Sequence, residues 1–135
     1  MLVDLPGCRP IAGERILICA KQTQRFTVVL PAGFTPAVQW PALLILHGAG
    51  RNNLTLVDAP ETRASLLRSE AVLILPDGRL SWWLDETRIV ELLDELMKPL
   101  HLDPRRIGGS GWSMGGYGSL RMVTRHPERF SFGEE

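Results

Sequence analysis

The chain has 135 residues, 44% hydrophobic and 22% charged, a balance that fits a folded globular domain and excludes a disordered polymer. Lys plus Arg and Asp plus Glu both total 15, so the formal charge is zero and the basic footprint of a nucleic-acid binder is absent. No apolar run reaches the length of a bilayer span, and Met1-Leu2-Val3-Asp4-Leu5-Pro6 lacks the basic start and apolar stretch of a secretion signal; the expected setting is cytoplasmic, with no membrane partner.

Cys8 and Cys19 have neither metal-ligand spacing nor histidine companions, so no metal is expected and both read as buried free thiols. Residues 14–20 and 24–30 are rich in Ile, Leu, Val, Phe and Thr and predict an antiparallel hairpin at a sheet edge, joined through Lys21-Gln22-Thr23. Pro31, Gly33 and Pro36 break the chain into a loop. Residues 42–46, Ala-Leu-Leu-Ile-Leu, form a continuous apolar run, the mark of a strand covered on both faces. It ends in His47-Gly48-Ala49-Gly50, whose glycines permit a tight turn with backbone N–H groups facing a site.

A helix is expected over 58–69, with Asp58 as its cap, Pro60 in its first turn, and Ala64 and Leu67 on its apolar face. Residues 71–75 repeat the buried-strand pattern and stop at Pro76-Asp77-Gly78. After the aromatic loop Ser81-Trp82-Trp83-Leu84-Asp85, the residues Ile89, Leu92, Leu93, Leu96, Met97 and Leu100 recur at helical spacing, with Asp85 as the N-cap and Pro99 at the end. Asp103-Pro104-Arg105-Arg106 turns into a further strand around Ile107, weakened by Gly108-Gly109.

That strand runs into Gly111-Trp112-Ser113-Met114-Gly115, the pattern of a nucleophile elbow. The flanking glycines allow a serine to sit at the apex of a sharp strand-to-helix turn, its hydroxyl held out for a substrate. Residues 114–126 then predict a helix with Leu120, Met122 and Val123 apolar, a basic last turn and a stop at Pro127. Strands alternating with helices imply one α/β domain over residues 1–135. It would be a doubly wound, mostly parallel sheet with an N-terminal antiparallel edge hairpin and its site at the carboxyl ends of the strands. A dinucleotide site is disfavoured, because Met114 stands where a third phosphate-loop glycine would be needed.

Taken together, residues 25–34, 41–48, 75–79 with 81–85, 103–107, 111–120 and 126–130 resemble the esterase D branch of the α/β-hydrolases. That branch includes S-formylglutathione hydrolases, feruloyl esterases and mycolyltransferases. The resemblance implies a serine ester hydrolase acting on a small-molecule ester without a cofactor. Ser113 would be the nucleophile, and the backbone N–H of Met114 with that of Ala49 or Gly50 would form the oxyanion hole. Trp112 and His47 would lie against the substrate.

In that family the triad acid and histidine follow the nucleophile helix. Here only 22 residues follow Ser113 and no histidine follows His126. The expectation is therefore the N-terminal portion of a catalytic domain lacking two triad members, with an uncovered sheet edge open to self-association. The alternative is a binding protein or remnant that keeps the elbow without the chemistry. His126 is too far along its helix to reach Ser113, His101 reads as a surface residue, and Asp77 and Asp85 read as turn and cap residues.

Overall fold

The computed structural model describes residues 5–11, 15–21, 24–78, 83, 86–111 and 113–134. Strands β1 (Cys8–Pro10), β2 (Ile16–Lys21), β3 (Gln24–Val29) and β4 (Trp40–Leu46) come first, followed by α1 (Thr55–Asp58), α2 (Pro60–Leu67) and β5 (Val72–Pro76). Helix α3 (Glu86–Met97), strand β6 (Leu102–Gly111), helix α4 (Met114–Arg125) and strand β7 (Phe132–Glu134) complete the order. The described strands make one sheet in the order β1-β2-β3-β5-β4-β6-β7. Its first three pairings, β1 with β2, β2 with β3 and β3 with β5, are antiparallel. The β5–β4, β4–β6 and β6–β7 pairings are parallel. The expected hairpin is β2–β3, and β1 lies outside it as an additional strand.

Alternation along β4 divides the core. Ala42, Leu44 and Leu46 join Leu92, Leu93, Leu96, Met114 and Met122 of α3 and α4 in the larger cluster. Leu43 and Ile45 pack on the opposite face with Val57, Leu66 and Leu67 of α1 and α2. Burial on both faces is what the unbroken apolar runs of β4 and β5 encode. Among the described residues no helix is long and apolar enough to cross a membrane.

Three local expectations are corrected. Cys8 and Cys19 are not free thiols: they face each other across β1 and β2 and form a disulfide, with Cα atoms 4.0 Å apart. Such a bond is kept in oxidising surroundings and lost in reducing ones. Asp58 does not open the helix. It ends α1, and Ala59, which has no side chain able to cap, precedes Pro60 at the start of α2. Ala64 is exposed, and α2 leans on half-buried Leu66 and Leu67 instead. The cap expected at Asp85 lies outside the described residues.

At the foot of β6, buried Asp103 accepts the Arg105 backbone N–H at 3.0 Å and the Arg106 Nε–H at 2.8 Å. The Arg105 backbone N–H first, then the Arg106 side chain, hold its carboxyl below the ordinary value of 3.8. Because the folded value is the depressed one, the stabilisation is complete above that ordinary value and is lost as pH falls through the folded value. Asp103→Asn should therefore flatten the acid limb of a stability-versus-pH curve measured by urea unfolding. An unchanged acid limb would show that Asp103 does not contribute to it.

Candidate active site

Strand β6 delivers the chain to Gly111, and α4 begins at Met114. Between them Ser113 is exposed and holds φ 57° and ψ −125°, a left-handed backbone that side chains avoid at a cost of about 1–3 kcal/mol. Its carbonyl accepts the Tyr117 N–H at 3.1 Å, the first bond of the helix. The two flanking glycines are required by close approach. A Cβ on Gly111 would lie 2.5 Å from the Gly115 carbonyl and 2.7 Å from the Leu46 oxygen. One on Gly115 would lie 1.8 Å from the Leu46 oxygen and 2.8 Å from that of His47. The end of β4 thus abuts the first turn of α4, bringing the loop after His47 beside the elbow.

That loop is a tight turn. The Gly48 carbonyl accepts the Arg51 N–H at 3.2 Å, and Gly50 takes φ 76°, a conformation glycine adopts without a steric penalty. Beyond it, Asn52 Oδ1 accepts the Leu54 N–H at 2.8 Å. The buried Thr27 hydroxyl donates to the Asn53 carbonyl at 2.8 Å and accepts from Asn53 Nδ2 at 3.0 Å. The turn is therefore held from β3 as well as from β4. Ala49 and Gly50 are exposed at its tip, while Met114 is fully buried by its side chain, leaving its backbone N–H among those a helix start does not satisfy internally. Backbone donors fixed in this way suit a charge that appears only during reaction.

His47 is largely buried and engaged at both ring nitrogens. The Gly78 N–H donates to Nε2 at 2.9 Å, so Nδ1 carries the hydrogen and donates to the Gly48 carbonyl at 2.9 Å. Asp77 Oδ1 lies 3.4 Å from Nε2. Trp83 closes the cluster: it is 2% exposed, its indole N–H donates to the His47 carbonyl at 3.0 Å, and its ring centre lies 4.8 Å from the imidazole. A Cβ at Gly78 or at Gly118 would strike Trp83 at 2.5 Å, so the same side chain touches the β5 loop and α4. Trp83 also has φ 59°, a second left-handed position at the site.

The structure thus brings Ser113, Met114 and the His47–Gly50 loop together. Trp112 lies outside the described residues, as do Trp82 and Asp85. His101, at φ 52°, is hydrogen-bonded through Nδ1 to Pro36 O at 2.8 Å before β6, and His126 caps α4 through its N–H to Met122 O at 3.0 Å. The clamping role of Trp83 and the Thr27–Asn53 lock were not identified from sequence. The only signal for Trp83 was an aromatic doublet after Pro76-Asp77-Gly78, and Thr27 and Asn53 carried none. In α4, Leu120 is 45% exposed, contrary to expectation, because the sheet-facing side is Met114, Gly115, Gly118, Ser119 and Met122. Ser119 is fully buried and its hydroxyl has no hydrogen-bond partner among the described residues. Ser119→Ala should be neutral or stabilise by up to about 1 kcal/mol in thermal unfolding. A clear loss would reveal a partner for that hydroxyl.

Residues 87–134, from α3 through the elbow to β7, match the model of the prolyl oligopeptidase family. S-formylglutathione hydrolase from Agrobacterium tumefaciens superposes with a TM-score of 0.76 at 19% identity over 98% of this chain and 60% of that one. The fold is that of an α/β-hydrolase. The fluorophosphonate-binding serine hydrolase F of Staphylococcus aureus gives 0.73 at 21% identity, over 87% of this chain and 54% of that one. Dipeptidyl peptidase 4 of Porphyromonas gingivalis gives 0.67 at 23% identity, over 87% of this chain and 20% of that one. The α/β-hydrolase resemblance read from residues 25–130 thus leads to esterases among the matched structures, and this chain spans 40–60% of the esterases it matches.

Proposed function

We propose that this chain carries the nucleophile and the oxyanion-binding elements of a serine ester hydrolase. The observation that supports this most is the exposed Ser113 in a left-handed backbone between two glycines that no larger residue could replace. Ser113 Oγ would attack the ester carbonyl, its proton passing through water to the departing alkoxide. The resulting oxyanion would be held by the Met114 N–H and the N–H of Ala49 or Gly50. Collapse would release the alcohol and leave an acyl group on Ser113, which water would then hydrolyse. Trp112, next to the nucleophile, would contact the substrate, whereas His47 would act by holding the oxyanion turn. No cofactor is involved.

The rings of His47 and His101 are engaged, His47 with Gly78 and Gly48 and His101 with Pro36, and His126 lies at the end of α4 remote from Ser113. Esters are the favoured substrates. An alkoxide can leave without a general acid, whereas an amine leaving group needs one. A second reading is a binding protein that keeps the elbow without turnover.

Reaction with a fluorophosphonate probe and hydrolysis of p-nitrophenyl acetate, each compared with Ser113→Ala, test the proposal. Ser113-dependent labelling is expected, with turnover limited to about the 10³–10⁴-fold over water that oxyanion and binding contributions leave when a triad is incomplete. If the two proteins are equally unreactive, Ser113 of this chain is not a working nucleophile and the chain is a fragment or a remnant.

A further inference from the structure

Beside the oxyanion turn, on the face of the sheet covered by α1 and α2, lies a cavity of about 300 Å³. Its apolar wall comes from Ile45 on β4, Leu75 and Pro76 on β5, and Leu56 and Ala59 on the α1–α2 segment. The volume lies at the lower end of the range for ligand pockets, about 300–1,000 Å³, which suits a small molecule.

The polar groups around this wall are mostly satisfied. The Thr62 hydroxyl donates to the Leu56 carbonyl, and the Thr55 hydroxyl accepts the Asn52 N–H at 3.0 Å. Asn52 Oδ1 is taken by the Leu54 N–H, and both ring nitrogens of His47 are engaged as described above. Arg51 differs. It is exposed at the cavity, has no ion-pair partner among the described residues, and no carboxylate lines the cavity with it. Its backbone is nevertheless set, because its N–H closes the turn on Gly48 and nearby Asn53 is locked to Thr27.

An apolar chamber with exposed Arg51 in its lining and no carboxylate among its described lining residues calls for a ligand of matching shape. We propose that this cavity binds a small monocarboxylate with an apolar body. The carboxylate would pair with Arg51 in the two-pronged geometry a guanidinium offers, and the body would lie against Ile45, Leu56 and Leu75. A phosphate-bearing ligand fits less well, because a single positive charge without a cluster of backbone donors does not balance a dianion. The inference goes beyond the ester-hydrolase reading, since binding here requires nothing of Ser113.

The test is a ¹⁵N-edited NMR titration of the 135-residue chain with hexanoate and with its neutral isostere hexanamide. Hexanoate is expected to shift the amides of Ala59 and Leu75 and to bind at least about ten-fold more tightly than hexanamide, the factor of one good charge-assisted contact. Arg51→Gln, at an exposed side chain, should make the two ligands equal. Ala59→Phe should abolish both, and Ser113→Ala should change neither, so failure of the esterase reading would leave this result intact. Equal affinity of hexanoate and hexanamide for the unaltered chain, no binding of either, or undiminished hexanoate binding to Arg51→Gln would overturn the proposal.

Discussion

Gly115→Ala is expected to destabilise the chain by about 3 kcal/mol or more, with loss of any reactivity at Ser113. The added methyl would sit 1.8 Å from the Leu46 oxygen, less than the sum of any two van der Waals radii, and 2.8 Å from the His47 oxygen. Neither neighbour is a flexible side chain that could swing aside. Leu46 is fixed in register against Gly111 across β4 and β6, and His47 is held by Gly78 and Trp83. Relief would require α4 to lift off the sheet, and with it the buried contacts of Met114 and Met122. Against a total stability of about 5–15 kcal/mol for an ordinary domain, that is a large fraction. Urea unfolding followed by circular dichroism measures it directly. A midpoint equal to that of the unaltered protein would mean that β4 and α4 do not approach so closely.

Trp83→Ala should cost about 3–5 kcal/mol, the range for emptying a buried aromatic site. The removed ring fills the space above Gly78 and Gly118, and its N–H satisfies the His47 carbonyl. Trp83→Phe separates these two effects. It keeps most of the packing and loses the hydrogen bond, so about 1 kcal/mol is expected from the bond alone. Because His47 leads into the turn proposed to hold the oxyanion, fluorophosphonate labelling of Ser113 should slow in both variants, more in the alanine. If labelling is unchanged while stability falls, Trp83 supports the core but not the turn.

The elements buried on both faces were the easiest to read: β4 and β5 are uninterrupted apolar runs, and α3 shows its buried Ile89, Leu92, Leu93 and Leu96 at helical spacing. The strand leading to Ser113 was much fainter, although β6 proved to be ten residues long. Its glycines lower strand propensity, yet its neighbours require them: the Phe132 ring occupies the space above Gly108, and Met122 with Ser119 presses on Gly109 from the other face. The helix after the elbow posed the same difficulty. Its buried side is built from small residues, so an apolar pattern pointed to Leu120 instead. The elbow itself was legible because its constraint is local and steric. The disulfide was not, because it depends on β1 lying beside β2, a pairing invisible until both strands are placed.

The strand order also governs when each part of the chain can form during synthesis. The β2–β3 hairpin closes as soon as it emerges, since its partners adjoin in sequence. Strand β4 comes next but pairs with neither; it must wait for Val72 and its neighbours on one side and for Ile107 to Gly111 on the other. Until then an apolar strand has no flank, the circumstance in which nascent chains are most exposed to wrong partners. The segment that closes this gap is the one that carries Ser113. The strained backbone at Ser113 and the completed centre of the sheet therefore form together.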